Sequence, residues 1–167
     1  KLCCKFANYL MEKSKLPFRI GVGAIVINKE NKIFVGKRID FPKNNKWQMP
    51  QGGVKDGEDL LNAMKRELEE ETSIKSIKIL KELDEWTEYE LPDYLLGKIW
   101  KGKYRGQKQK WFILKFIGAD HEINLKTSYP EFIEWKWVNP ESLPEIIVDF
   151  KRTLYEKLLL KIKPFIN

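Results

Sequence analysis

The sequence predicts a single α/β domain in which helices pack on a mixed β-sheet. Three observations support this fold class. Short apolar runs rich in β-branched residues are typical of strands, and two longer stretches carry apolar residues at helical spacing. The length of 167 residues suits one domain with a substantial core.

The elements follow from these patterns in chain order. Their expected bounds are strands at 20–27 and 32–38, a helix at 58–72, strands near 77–90, 97–103, 109–118 and 133–138, and a helix at 145–162. The last helix is indicated by Phe150, Leu154 and Leu158, which recur every four residues. We see no internal repeat and no second domain.

Composition limits the classes of function. A hydrophobic content of 43% indicates a globular chain, and no apolar run reaches the roughly 20 residues that a membrane span needs. Cys3 and Cys4 are adjacent, so their spacing suits neither a disulfide framework nor a zinc site. We therefore expect a cytoplasmic protein that does not bind membranes, and the sequence indicates no particular protein partner.

The charge suggests a polyanionic partner. The formal net charge is +7, and one segment interleaves basic residues with Trp100 and Tyr104. An exposed hairpin with lysines along its edges would explain the same composition. The basic residues of this segment are Lys98, Lys101, Lys103, Arg105, Lys108 and Lys110.

The most informative segment begins at Gly52, where a glycine-rich loop leads into a helix. Glu67, Glu70 and Glu71 are three and four residues apart, so they share one face of that helix. Such carboxylates repel one another unless a cation such as Mg²⁺ or Mn²⁺ lies among them. A solvated acidic face is the alternative. It fits Glu69 but not Glu71, which falls at the edge of an apolar stripe.

This segment, residues 52–74, resembles the Nudix box, G-x5-E-x7-R-E-U-x-E-E-x-G-U, where U is a bulky apolar residue. The matching positions are Gly52, Glu58, Arg66, Glu67, Leu68, Glu70, Glu71 and Ile74. Ser73 stands where the family has its last glycine, which closes the helix in a left-handed conformation. Serine there costs on the order of 1 kcal/mol and leaves the carboxylates unchanged.

Segments outside the box resemble one branch of the family, the bacterial RNA 5′-pyrophosphohydrolases. These are similar to the invasion-associated proteins and the dinucleoside polyphosphate hydrolases. The resemblance covers roughly residues 18–157 and implies a Nudix-type α-β-α sandwich with a mixed sheet, over a domain at 18–163. The segments that carry it are 47–53, 106–112, 131–132 with 135–138, and 150–152.

The resemblance also implies roles for individual residues. Metal would be held by Glu67, Glu70, Glu71 and Glu131, and one of Glu67, Glu70 and Glu131 would be the general base. Gly53, Glu58 and Arg66 are expected to be structural, with Arg66 orienting a box glutamate through a bidentate pair. The expected substrate contacts are Arg19, Lys37, Arg38, Gln51, Gly52, Lys108, Phe150 and Lys151.

Ordinary explanations stay open for some of these residues. From the sequence alone, Arg19 could be a charge at a strand edge, Lys151 a solvated helix residue and Phe150 part of the core.

The implied reaction is metal-dependent hydrolysis of a phosphoanhydride bond, with Mg²⁺, Mn²⁺ or another divalent ion. The leading expectation is removal of pyrophosphate from 5′-triphosphate RNA, which leaves a 5′-monophosphate and promotes RNA decay. A dedicated hydrolase of diadenosine tetra- and pentaphosphate is the alternative. A remote third is a non-catalytic module that binds nucleotide or RNA, although the intact box carboxylates argue against it.

Residues 1–17 are expected to be an N-terminal extension, in part non-native or flexible. We expect Met11 at or near the biological start. Peptides from upstream of Met11 in the native protein would refute this.

Overall fold

The chain forms a seven-stranded mixed sheet with helices on both faces in a computed structural model that describes residues 2–40 and 43–166. Its helices are α1 (Leu2–Lys15), α2 (Leu60–Thr72), α3 (Leu143–Ile146) and α4 (Arg152–Ile162). Its strands are β1 (Phe18–Ile27), β2 (Ile33–Arg38), β3 (Gln51–Gly53), β4 (Ile77–Glu82), β5 (Thr87–Glu90), β6 (Gly106–Phe116) and β7 (Phe132–Val138).

The sheet is mixed because its two central strands run parallel. β1 and β6 pair in parallel from Phe18 opposite Gly106 to Ile27 opposite Lys115. The order along the sheet is β4-β6-β1-β2-β7, with β3 added beside β1 and β5 beside β6. These additional pairings are antiparallel and leave the first half of β1 next to both β3 and β6.

Two apolar cores lie on opposite faces of the sheet. Side chains alternate along β1, so that Val26 faces the core under α2, and Ile25 faces the core under α4. Leu68 of α2 and Leu158 of α4 are almost fully buried against these two faces. This arrangement confirms the α-β-α sandwich.

The expected strand at 97–103 is wrong. Trp100–Gly102 is a 3₁₀ turn in which Trp100 and Lys101 both have positive φ, at 51° and 56°. A residue with left-handed backbone cannot continue a strand ladder, so β6 begins only at Gly106.

Other boundaries also differ from expectation. The single strand expected at 77–90 is two strands, β4 and β5, which pair with different parts of β6. The expected C-terminal helix is interrupted because Ile147 is extended, with φ −78° and ψ 157°. The short β3 was missed because glycine weakens a strand signal.

The N-terminal segment forms a helix that projects from the domain. Phe6 and Leu10 of α1 are 63% and 48% exposed. The helix is attached by Lys13, whose Nζ lies 3.6 Å from Glu90 and 3.5 Å from Asp93. Lys1, the first residue of the expected extension, lies outside the described residues. The described helices include none with the length and apolar character to cross a membrane.

Candidate active site

The carboxylates predicted from the box come together with Glu131 at one end of the sheet. Glu67, Glu70 and Glu71 lie on α2, and Glu131 directly precedes β7. The charge of Glu131 acts on both Glu71 and Glu67, so these carboxyl groups are neighbours. A helix and a remote strand therefore supply adjacent acidic groups.

Two capping residues set the bounds of α2. Asp59 accepts a hydrogen bond from the Asn62 N–H at 3.1 Å and caps the N-terminus. Ser73 ends the helix in the left-handed conformation, with φ 64°, and its N–H donates to the Glu69 carbonyl. The Ser73 hydroxyl also donates to the Asn124 carbonyl at 2.8 Å. Serine thus adopts the conformation expected of the family glycine.

Arg66 ties the loop to the helix. Its Nε and Nη2 donate to the two carboxylate oxygens of Glu58 at 2.7 and 2.9 Å, which is a bidentate pair. Nη2 also donates to the Gly53 carbonyl at 2.9 Å, and Nη1 donates to Glu67 and Glu70 at 2.7 and 3.1 Å. One guanidinium therefore positions two of the predicted metal ligands.

Glu71 is a buried carboxyl with incomplete hydrogen bonding. It is 2% exposed, and its Oε2 accepts from the Gln51 N–H at 3.2 Å. Its other oxygen, Oε1, has no hydrogen-bond partner among the described residues. Burial, followed by the nearby charges of Glu131 and Glu67, raises the pKa of Glu71 well above its usual value. Without a cation, this carboxyl is destabilised as an anion.

Glu67 approaches the backbone where only glycine leaves room. A Cβ on Gly52 would lie 2.1 Å from the Glu67 carboxyl carbon. Burial raises the pKa of Glu67, although the hydrogen bond from Arg66 opposes the shift, and Glu70 and Glu131 add to it. Gly52 therefore acts sterically, by admitting the carboxyl beside β3.

The Arg19 side chain also lies where only glycine leaves room, against Gly53, the next residue of β3. A Cβ on Gly53 would lie 2.2 Å from an Arg19 guanidinium nitrogen. The Arg19 guanidinium carbon lies 5.3 Å from the centroid of the Trp100 ring, which is within cation–π range. The strained turn around Trp100 therefore forms one wall of the basic side of the site.

Lys151 is a buried basic side chain of the same site. It is 6% exposed, and its Nζ lies 4.7 Å from the Tyr89 ring centroid and 5.9 Å from that of Phe150. Burial and the charge of Arg38 lower the pKa of Lys151 to about 7. The solvated helix position considered for Lys151 does not agree with this burial.

Tyr89, Gln107 and Gln109, to which the sequence analysis gave no role, join the predicted Gln51 and Glu71 in a buried polar chain. The Tyr89 hydroxyl donates to Gln107 Oε1 at 2.8 Å, and Gln109 Nε2 donates to Gln107 Oε1 at 3.3 Å and to Gln51 Oε1. The Gln51 N–H in turn donates to Glu71. The alternation of glutamine and lysine at 107–110 was a usable signal, because one set must face inward.

A cavity of about 480 Å³ lies at this site. It brings together nine of the predicted site residues, namely Arg19, Arg38, Gln51, Gly52, Gly53, Glu67, Glu131, Phe150 and Lys151. Arg38 is also held by Asp40, to which its Nε donates at 2.8 Å.

Two predicted substrate residues do not line this cavity. Lys108 alternates with the inward-facing Gln107 and Gln109, and its Nζ lies 3.8 Å from Glu88 instead. Lys37 lies opposite Glu134 in the β2–β7 pair. Strand geometry therefore separates both lysines from the other predicted contacts.

Comparison with known proteins decides the family. A family model described as "NUDIX domain" matches residues 17–158. The chain belongs to the Nudix family. A Nudix hydrolase cleaves phosphoanhydride bonds, and the family in general uses divalent metal ions.

Several relatives of this Nudix chain carry one name. A protein of Pelagibacter ubique is 58% identical over 155 residues, which cover 93% of this chain and 98% of the relative, and is named RNA pyrophosphohydrolase. A protein of the same name from Novosphingobium aromaticivorans is 49% identical over 147 residues, covering 86% of this chain and 91% of the relative.

Solved structures confirm the Nudix fold. A C. elegans Ap4A hydrolase complex has a TM-score of 0.65 at 24% identity, covering 88% of this chain and 96% of that one. The E. coli dihydroneopterin triphosphate pyrophosphohydrolase has a TM-score of 0.64 at 18% identity, covering 87% and 99%.

The donor set of this Nudix chain suits a hard divalent ion. The candidate ligands are all carboxylate oxygens, and a buried one, Glu71 Oε1, has no partner among the described residues. Within residues 2–40 and 43–166, no three acidic, His or Cys side chains are already arranged as a metal cluster. Arg66 holds Glu67 and Glu70 in the present arrangement, so the assignment of metal ligands stays a prediction.

Proposed function

We propose that this Nudix hydrolase removes pyrophosphate from the 5′ end of triphosphorylated RNA and leaves a 5′-monophosphate. The observation that carries the proposal is the cavity lined by carboxylates together with basic and aromatic side chains. A triphosphate linked to a nucleoside offers groups that match each part. The names of the Pelagibacter and Novosphingobium relatives support RNA as the substrate.

The metal ion of this proposal is Mg²⁺, with Mn²⁺ or another divalent ion able to substitute. Glu67, Glu70, Glu71 and Glu131 would hold it, since these carboxylates converge from α2 and from the start of β7. When bound, the ion would supply charge neutralisation for the phosphates and a more acidic water.

The residues of the chain divide the remaining work. A carboxylate, Glu67, Glu70 or Glu131, would accept the proton of the attacking water. Either one water adds to phosphorus, one phosphoanhydride bond breaks and pyrophosphate leaves, or two such hydrolyses in succession each use one water and release one phosphate. Arg19 and Lys151, which line the cavity, would bind the anionic chain by charge-assisted hydrogen bonds.

The aromatic side of the cavity would hold the nucleoside. The Tyr89 and Phe150 rings have centroids 5.9 Å apart and an interplanar angle of 48°. Base–aromatic stacking is tolerant of base identity, which suits an enzyme that acts on many RNAs. The same proposal assigns the enzyme to the cytoplasm.

A dinucleoside polyphosphate hydrolase is the second candidate. It is favoured by a second aromatic group on the cavity wall, Tyr94 and Trp100, which would suit a second nucleoside. A non-catalytic module that binds nucleotide or RNA is the remote third candidate, and metal-dependent turnover of any phosphoanhydride would exclude it.

One experiment separates these candidates. We would measure kcat/KM at equal Mg²⁺ for a short 5′-triphosphate RNA and for diadenosine tetra- and pentaphosphate. The proposal expects a strong RNA preference with 5′-monophosphate RNA as the product. A strong preference for the dinucleotides would overturn it.

A further inference from the structure

A second cavity, of about 680 Å³, lies between the β4–β5 turn and α4. We call it the α4 groove. Its wall includes Trp86, Tyr89 and Phe150 together with Lys157 and Lys161 of α4. None of its α4 residues belongs to the carboxylate site, and no predicted substrate contact other than Phe150 lines it.

The α4 groove adjoins the catalytic cavity. Tyr89 and Phe150 line both cavities, so this aromatic pair forms the boundary between them. Phe150 is only partly buried, whereas the Tyr89 beside it is 7% exposed. A flexible ligand whose phosphate end lies at the carboxylates would therefore have to pass this aromatic pair to reach the α4 groove.

The groove offers an aromatic surface with cations beside it. Trp86 is 37% exposed. The Nζ atoms of Lys108 and Lys110 lie 5.7 and 5.6 Å from the centroid of its ring. Lysine beside an exposed aromatic ring is the combination that binds single-stranded nucleic acid, by stacking the base and attracting the phosphate. Lys108 and Lys110 flank this ring without lining the groove themselves.

The acidic residues of the groove are already paired. Asp84, Glu85 and Glu88 lie 3.4, 3.3 and 3.8 Å from lysine Nζ atoms. Lys157, in contrast, is exposed on α4, and no carboxylate of the described residues lies within 4.0 Å of its Nζ. Its charge is therefore available to a phosphate.

We propose that the α4 groove binds the RNA nucleotides that follow the 5′-terminal ones, with a base on Trp86 and a backbone phosphate at Lys157. This inference rests on the proposed function, since it assumes an RNA 5′ end in the catalytic cavity. It makes the enzyme sensitive to the length of the unpaired 5′ segment. A protein partner that covered the same groove would not produce that sensitivity.

The test compares two substrates and three variants. The substrates are a 5′-triphosphorylated dinucleotide and a single-stranded RNA of about ten nucleotides with the same first two, since the groove can be reached only by the longer one. The variants are Trp86→Ala, Lys157→Gln and, as a matched control on the β1–β2 turn, the exposed Lys29→Gln. Circular dichroism and thermal unfolding establish that each variant is folded.

We expect wild-type KM to be lower for the longer RNA. Trp86→Ala should raise KM for the longer RNA on the order of tenfold and leave the dinucleotide unchanged, as expected for loss of one stacked base. Lys157→Gln should reduce the slope of log KM against log salt for the longer RNA by about 0.7, which is one phosphate contact. Lys29→Gln should match wild type on both substrates.

Different failures have different meanings. If wild type hydrolyses neither RNA, the proposed function fails. If wild type hydrolyses both RNAs but Trp86→Ala and Lys157→Gln behave like wild type on the longer one, only the groove inference is overturned. An equal loss on both substrates would also overturn it, because the groove residues would then act on the catalytic cavity itself.

Discussion

Replacing Lys151 by methionine should stabilise the fold and impair activity. Lys151 is 6% exposed, and burial lowers its pKa from 10.5 to about 7. Each pKa unit corresponds to about 1.4 kcal/mol, so burying this cation costs about 5 kcal/mol when it is protonated. Methionine of similar size loses the cation–π contacts with Tyr89 and Phe150, which are worth about 0.5–2 kcal/mol.

The net gain for Lys151→Met is on the order of 3 kcal/mol, which raises Tm by about 6–12 °C for a chain of this length. The gain depends on pH. Because the folded-state pKa of Lys151 lies below the unfolded-state value, the cost is complete below pH 7, decreases from pH 7 to 10.5, and vanishes above. The gain in stability should follow the same course.

The assay is denaturation with a chelator present, below pH 7 and again near pH 10. Lys157→Met, an exposed position on the same helix, is the control and should show no such pH dependence. Turnover of triphosphate RNA by Lys151→Met should fall roughly 10–100-fold, the loss of one charge-assisted hydrogen bond. A variant that is less stable, or whose gain is independent of pH, would refute the reasoning.

Three further predictions concern the box. Glu70→Gln should change stability by less than about 0.5 kcal/mol, because this side chain is 45% exposed, yet lose most turnover; near-normal kcat would remove Glu70 from the mechanism. Gly52→Ala should displace the Glu67 carboxyl and lower kcat at least tenfold, since 1 Å misplacements cost about 10²-fold; an unmoved carboxyl in a crystal structure of an active variant would contradict this. Arg66 lowers the pKa of Glu58 from 4.5 to about 2, so the stability that Glu58 contributes is complete above pH 4.5 and is lost as pH falls towards 2. The stability difference between wild type and Glu58→Gln should narrow over that window, and a constant difference would show that the pair does not act this way.

Local patterns predicted the box helix well. Three carboxylates at spacings of three and four residues share a helical face whatever surrounds them. The sequence also indicated which of the three carboxylates is buried. Glu71 lies at the margin of the apolar stripe, and it is the buried one in the structure. The expected strand at 97–103 failed because its left-handed residues, Trp100 and Lys101, carry no sequence signal for that conformation.

Residues that depend on partners from distant parts of the chain were predicted less well. Gln107 and Gln109 face the site only because β6 pairs with β1 in one register, and the same register turns Lys108 away. A single sequence contains the alternation but not which of the two faces is the inner one.

The sequence by itself determined the fold class and the box helix. It also determined that Arg66 would pair with a box glutamate and that Glu67, Glu70 and Glu71 would share one helical face. These follow from backbone periodicity and short-range contacts such as the Arg66–Glu58 pair. The tertiary structure alone decided that Lys151 is buried and that Tyr89 and Phe150 lie between two cavities. Burial and strand register are properties of the packed molecule, and they set the charge state and the direction of each side chain.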